Sequence, residues 1–460
     1  MSRRLQPRLH NSSRNSMPTR PQKEALRGAS SAAIESCFRK LDRYLRQSRW
    51  LPNNNRYRDN CIDRLIVDHT ANAVQSDALV RYIAASALPH TLDGWGFLGR
   101  ALNAQLRGDF VSCRHLAYYA ELRATMALLA SQGVGIFDKN HYVVDATENI
   151  ARVPRHDGTH VLAWKALDHW SGLKRSSDLL STIITPGGLS IADWQSGIFT
   201  QAGFRVVGST WLKRWGLDIQ QCADDQKLRN QSSYRPSRLI SSEYLLTDER
   251  AEFVKEFWRL CEPSGAELFQ RLDRHLLRMW LREQYIAIKG GAADSGNPKF
   301  VETMSKLVED VNPQGLTKAL WLEFLCDAGK HPDSSVIKKV NSDSGIGASS
   351  PQLGMLARAL MLLRLATGAS RQLIINSGID KSRLQFWWHD LGAELALWDD
   401  GDAPAEPQSL WLDVEQAIGE IELWVSTGNQ SHIRTFRTSE SSALGVIDEL
   451  ERVGLWGIGL

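Results

Sequence analysis

From Ile34 onward the chain repeats apolar side chains at helical spacing. Ile34, Phe38, Leu41 and Leu45 form a first stripe that ends before Pro52, and a polar loop with Asn53, Asn54 and Asn55 follows. Helical patterns return at Ala78 to Leu88 and again at Trp95, Leu98, Leu102 and Leu106. Gly108 and Asp109 then predict a short turn into a helix striped by Tyr119, Leu122, Met126 and Leu129, so these two helices should form an antiparallel hairpin. His115 falls on the second stripe, and Gly133 with Gly135 stops it. A further face joins His160, Trp164, Leu167 and Trp170. Between 181 and 217 the period weakens, and the runs Thr182 to Thr185 and Phe204 to Val207 read as short strands.

Beyond Glu243 the pattern is helical with marked punctuation. Thr247 followed by Asp248 and Glu249 predicts a capped N-terminus, and Pro263 ends that helix. Ser264 with Glu267 fits a capping box before the stripe Leu268, Leu272, Leu276, Met279, which runs to Gly290-Gly291. Asn297-Pro298 opens the next helix. No repeat of fixed period is present, which disfavours a regular solenoid. The expected fold is mostly α, divided into a disordered basic tail (1–32), a helical domain (33–240) and a helical C-terminal domain (241–460).

Composition narrows the function classes. A chain of 460 residues, 43% hydrophobic, can bury sizeable cores, and a net charge of +3 commits it neither to nucleic acid nor to a membrane surface. Any basic footprint is therefore local, as in the tail with Arg3, Arg4, Arg8, Arg14, Arg20, Lys23 and Arg27. Six scattered cysteines form no zinc-ligand spacing and read as thiols in a reducing cytosol. The best apolar run, Leu353 to Ala366, is interrupted by Arg358 and Arg364, so no membrane span is expected. Asp399, Asp400 and Asp402 read as part of a solvated turn; no metal and no cofactor is expected, and the expected location is cytoplasmic.

No P-loop, GxGxxG, HExxH or GxSxG motif is present. What remains is RHDGTH, Arg155 to His160. Cleaving RNA without a metal requires a base near neutrality for the 2′-hydroxyl, an acid for the leaving oxygen and a fixed cation for the phosphorane. Histidine meets the first need with an ordinary pKa of about 6.5, and arginine the third with a permanently charged planar fork. A second notable stretch, LRNQSSYRP, holds Arg229, Asn230 and Tyr234, and a phenol such as that of Tyr234 is a poor base at neutral pH. The structural alternatives are a core histidine behind a Thr159 cap for the first stretch and a polar helix end before Pro236 for the second.

At these residues the chain resembles the HEPN (higher eukaryotes and prokaryotes nucleotide-binding) superfamily of small helical domains, over roughly residues 92–235. AYYAELRATMALLASQGVGIFDKNH, Ala117 to His141, is similar to that family's first long helix with its paired tyrosines, and RHDGTH is similar to its motif of Arg, a polar residue, three variable residues and His. The resemblance implies Arg155 as the motif arginine, His156 as the polar residue and His160 as the catalytic histidine. It further implies a metal-independent endoribonuclease acting as a toxin or anti-phage effector on RNA, with two protomers of a homodimer completing the site and a partner defence subunit as a further associate. Pro154 and Gly158 depart from the family by placing the arginine in a turn. The alternative expectation is a non-catalytic helical adaptor or sensor that binds a partner protein or nucleic acid.

Overall fold

The computed structural model describes residues 17–198, 208–234, 247–264, 268–342, 350–399, 402–404, 406, 409–427, 436 and 441–459. It is mostly helical, as the periodicity predicts. Helices α1 (Arg20–Arg27), α2 (Ser31–Lys40), α3 (Asp42–Leu45) and α4 (Cys61–Thr70) lead into the long hairpin of α5 (Ser76–Leu106) and α6 (Phe110–Ser131). A three-stranded antiparallel sheet follows, β1 (Val134–Gly135), β2 (Tyr142–Val144) and β3 (Ile150–Arg152), in the order β1-β2-β3. Helices α7 (Thr159–Ser171), α8 (Lys174–Ile183), α9 (Ile191–Ile198), α10 (Gly208–Arg214) and α11 (Ile219–Tyr234) complete the first half. The second half holds α12 (Asp248–Leu260), α13 (Gln270–Lys289), α14 (Pro298–Val311), α15 (Lys318–Cys326) and α16 (Ser335–Lys339). After these come α17 (Pro351–Ser377), α18 (Gln385–Glu394), α19 (Leu410–Ser426), α20 (Ser441–Asp448) and α21 (Glu451–Ile458).

The turn at Gly108-Asp109 is as expected: Asp109 caps α6 by accepting from the Ser112 amide, and Gly108 takes a positive φ of 76°. Thr247 caps α12 and Asn297 caps α14, also as expected. The two patterns at 78–88 and 95–106 form one helix, because apolar burial on both sides of Pro89 outweighs the hydrogen bond that proline removes. Strands occur between α6 and α7 rather than at 182–185, where the chain is the end of α8 and the extended link beyond it; 204–207 lies outside the described residues. Ser264 does not cap a helix directly. Helix α13 starts at Gln270 behind Phe269, and Glu267 lies outside the described residues.

The basic tail departs from expectation where it is described. Residues 1–16 lie outside the described set, but α1 is a helix whose Leu26 and Gln22 are buried against α7. Gln22 Nε2 donates to Asp157 Oδ2 at 2.8 Å and to the Pro154 carbonyl at 3.2 Å, so one polar side chain and one leucine dock a segment with little else to bury.

Helix α17 lies beyond the expected boundary at residue 240, yet it packs on both α5 and α6, and packing runs across that boundary in one hydrophobic cluster. By length and composition α17 could cross a membrane, but its apolar window is wholly buried within the protein. The arginines that interrupt it are buried and paired: Arg364 donates to both oxygens of Asp273 on α13, at 2.8 and 2.7 Å, and Arg358 donates to Asp225 on α11 at 2.9 and 2.7 Å. The second pair ties α11 to the core and fixes its approach to α6.

Candidate functional site

Helices α6, α7 and α11 pack on one another and bring their polar residues to one place. His160 stands in the first turn of α7, and the loop before it is pinned on three sides. His141 accepts from the Phe137 amide at Nδ1, so its Nε2 proton goes to the Asp157 carbonyl at 2.7 Å. Gln22 holds the Asp157 carboxylate, and Lys165 donates to it at 3.0 Å. Gly158 then serves as the N-cap of α7 without a side-chain bond, and Thr159 is the first helical residue rather than the cap.

The imidazole of His160 meets Arg229, not Arg155. Arg229 Nη2 carries two hydrogens and faces two acceptors, Tyr119 Oη at 2.9 Å and His160 Nε2 at 3.2 Å. Because a guanidinium only donates, Nε2 is an acceptor and the imidazole proton sits on Nδ1, where it reaches Tyr118 Oη at 2.9 Å. The Arg229 guanidinium also lies 5.1 Å from the Tyr119 ring centroid and 5.6 Å from that of Tyr118. Nη1 of the same arginine donates to Asn230 Oδ1 at 2.9 Å.

A second imidazole belongs to the cluster. His115, one turn before Tyr119 on α6, has its ring centroid 5.0 Å from that of Tyr119, and His160 lies 6.2 Å from it on the same measure. Ser233 gives its hydroxyl proton to the Arg229 carbonyl, so it accepts at 3.0 Å from His115 Nδ1, which leaves a lone pair on His115 Nε2. Arg114 Nε donates to Ser232 Oγ at 3.1 Å and adds a second cation at this face. His115, Tyr119, His160 and Arg229 are each half-buried, so the cluster reaches solvent, whereas Tyr118 is fully buried behind them.

The electrostatics follow from this arrangement. Burial first, and then the Arg229 charge, hold the pKa of both His160 and His115 below the ordinary histidine value. Burial pushes the Tyr118 phenol up, so it stays protonated and cannot compete as a base. At neutral pH the site is thus two neutral imidazoles beside a permanent cation.

The remaining sequence candidates fall elsewhere. Arg155 is exposed, with a left-handed φ of 73°, in the turn ahead of α7, and its charge acts on Asp157. His156 is exposed and accepts from Arg152 Nη2 at 2.9 Å. Asn230 is in the cluster through Arg229; Tyr234 ends α11, and its side chain lies outside the described residues. The structure therefore joins the histidine of one sequence motif to the arginine of the other. Sequence reasoning assigned no role to His115, Tyr118 or Tyr119, although the paired tyrosines and the histidine on the apolar stripe were visible.

Among the described residues no group of three or more His, Cys, Asp or Glu side chains is placed to hold a metal. The chain matches no protein-family model, no curated protein and no solved structure.

Proposed function

We propose that the chain is an endoribonuclease of HEPN type that needs no metal, acting on RNA as a toxin or anti-phage effector in the cytoplasm. The observation that carries this reading is the convergence of His160, Arg229 and His115 around Tyr119. In the step we infer, the RNA 2′-hydroxyl gives its proton to His160 Nε2 as its oxygen bonds to the adjacent phosphorus. Arg229 turns from that nitrogen to the phosphoryl oxygens and carries the charge of the phosphorane. The bond from phosphorus to the 5′-oxygen breaks, and protonated His115 supplies the leaving oxygen with a proton from Nε2. The products are a 2′,3′-cyclic phosphate and a 5′-hydroxyl, and no group outside the chain is consumed.

A phosphate seated on Arg229 offsets the positive charge that depresses both imidazoles, which lets His115 take up the proton it later donates. The two roles then follow from position: His160 shares Arg229 directly, and His115 stands across Tyr119. A homodimer, implied by the resemblance, belongs to the same proposal.

Expression of the wild type and of His160→Ala, with growth and RNA integrity followed in parallel, tests the reading. Growth arrest and RNA fragments ending in cyclic phosphate are expected for the wild type and are expected to vanish in the variant. Identical growth and intact RNA in both would leave the adaptor reading in its place.

A further inference from the structure

The stretch ahead of α1 carries cations without counter-charges. Residues 1–16 hold Arg3, Arg4, Arg8 and Arg14, and no carboxylate occurs before Glu24. Its large apolar side chains are Met1, Leu5 and Leu9, too few to enter a lipid surface as an amphipathic face.

Helix α1 fixes where this stretch meets the fold. Gln22, fully buried, accepts from the Thr19 amide at 3.0 Å through Oε1 and donates through Nε2 to Asp157 Oδ2 at 2.8 Å and to the Pro154 carbonyl at 3.2 Å. One side chain therefore joins the entry of α1 to the loop that leads into His160, three residues beyond Asp157. Arg175 secures the other end of α1 by donating to the Leu26 carbonyl at 3.1 Å. Pro18 is buried and Met17 is 63% exposed, so the described chain reaches solvent at that point. Positive charge continues along α1: burial first, and then Arg27 and Lys23, hold His169 on α7 below the ordinary histidine value. A chain spans at most about 3.3–3.6 Å per residue, so the arginines back to Arg3 lie within ~45 Å of that anchor, the scale of several nucleotides.

An acid-free run of arginines, anchored on the loop before an imidazole and guanidinium cluster, matches a strand of phosphates led to that cluster. We propose that residues 1–16 bind single-stranded RNA through its phosphates and hold it across the loop before His160. The position given to the RNA rests on the nuclease reading; the binding itself does not.

Fluorescence anisotropy of the full chain with a labelled 2′-O-methyl oligoribonucleotide tests the proposal. That probe lacks the hydroxyl consumed in cleavage, so binding is read whether or not the chain is a nuclease. The comparison is with one variant carrying Arg3→Gln, Arg4→Gln, Arg8→Gln and Arg14→Gln, which keeps the length and every described residue of the fold. Losing four phosphate contacts, at about 0.7 counterions each, is expected to flatten the slope of log affinity against log salt by up to about 3 and to weaken binding about tenfold or more at low salt. The melting temperature is expected to stay the same. Photocrosslinking of the probe bearing 4-thiouridine is expected to label both residues 1–16 and the 153–160 loop. An unchanged slope and affinity in the variant would overturn the proposal, as would labelling that never reaches the loop. So would binding to phosphatidylserine vesicles that the variant loses while its RNA binding stands. Binding that depends on the four arginines, in a chain that leaves ordinary RNA intact, would instead retire the nuclease reading and keep the role of residues 1–16.

Discussion

Arg229 and His160 lie 69 residues apart in the chain and share a hydrogen bond of 3.2 Å from Nη2 to Nε2. The arginine thus occupies the nitrogen that a general base would use, and holds it as an acceptor. Displacement of Arg229 by an incoming phosphate would free that lone pair and place the cation on the charge it is to stabilise. In this way one contact sets both the protonation state and the readiness of the site.

Exchange of the two candidate arginines separates this geometry from the linear motif. Arg229→Gln is expected to slow RNA cleavage on the order of 10² to 10³-fold, the loss typical of removing one charge-stabilising donor from a phosphorane or oxyanion. Arg155→Gln, at an exposed turn with no contact to His160, is expected to stay within about twofold of the wild type. Single-turnover cleavage of a labelled oligoribonucleotide reads both, and equal losses would return the role to Arg155.

The pH dependence has a definite sign. Burial and Arg229 favour neutral His160 in the folded chain, so its contribution to stability is present above the ordinary histidine pKa and is lost as pH falls through the lowered one. Proton NMR titration of the His160 ring is expected to give a midpoint below 6.5, and the acid limb of the kcat/KM profile, which reports the free protein, should share it. In Arg229→Gln the midpoint is expected to rise. A midpoint unchanged by that substitution would mean the arginine charge does not act on the imidazole.

Much of the fold was legible because long helices write their buried face at a fixed period. The stripes and the Gly108-Asp109 turn located the α5 and α6 hairpin, and Thr247 and Asn297 marked their helix starts. The sheet was not legible, since strands of two or three residues are too short to show alternation. Helix α1 was hidden because within it only Gln22 and Leu26 are buried, too few to write a stripe, and Arg175 holds its end through the Leu26 carbonyl. At the site, both halves of the central contact were singled out but assigned to rival motifs. Spacing within one segment cannot report that α11 returns to α6 and α7; that return depends on Asp225 meeting Arg358 from α17, a pairing 133 residues apart.

Close packing at the far end of α5 has its own signature. A Cβ built on Gly99 would stand 1.9 Å from the Asp448 carbonyl oxygen, where backbone rather than a flexible side chain is in the way. Gly99→Ala is expected to cost about 1–3 kcal/mol of stability as the end of α20 is pushed off α5. Gly158→Ala, where a Cβ meets nothing within 4 Å and φ is −71°, is expected to cost less than Gly99→Ala, about 0.5–1 kcal/mol, the difference between glycine and alanine at a helix N-cap. Chemical denaturation of the two variants side by side checks the contrast, and equal midpoints would argue that α20 shifts freely.

Behind the candidate site, a buried charge cluster sets where Arg229 stands. Glu121 lies about one turn beyond Tyr118 on α6, and Asp225 one turn before Arg229 on α11; both are fully buried with Arg358. One guanidinium cannot balance two carboxylates, and burial together with the Asp225 charge raises the Glu121 pKa well above the usual carboxylate range. Burial thus favours the protonated form of Glu121 beside Asp225, while Arg358 neutralises the charge on Asp225. For a carboxyl with a raised folded pKa, the stability it contributes is complete below about pH 4.5, the ordinary value, and is lost as pH rises through the folded value. Glu121→Gln stays neutral throughout, so its melting temperature minus that of the wild type is expected to grow between pH 5 and pH 8.5. Arg358→Met leaves Asp225 charged and buried, and is expected to cost about 3–5 kcal/mol, much of which Arg358→Met with Asp225→Leu should restore. Thermal denaturation across pH checks the first expectation and a double-mutant cycle the second. A melting difference that stays flat with pH would show that Glu121 is ionised in the fold and that the proton lies elsewhere in the cluster.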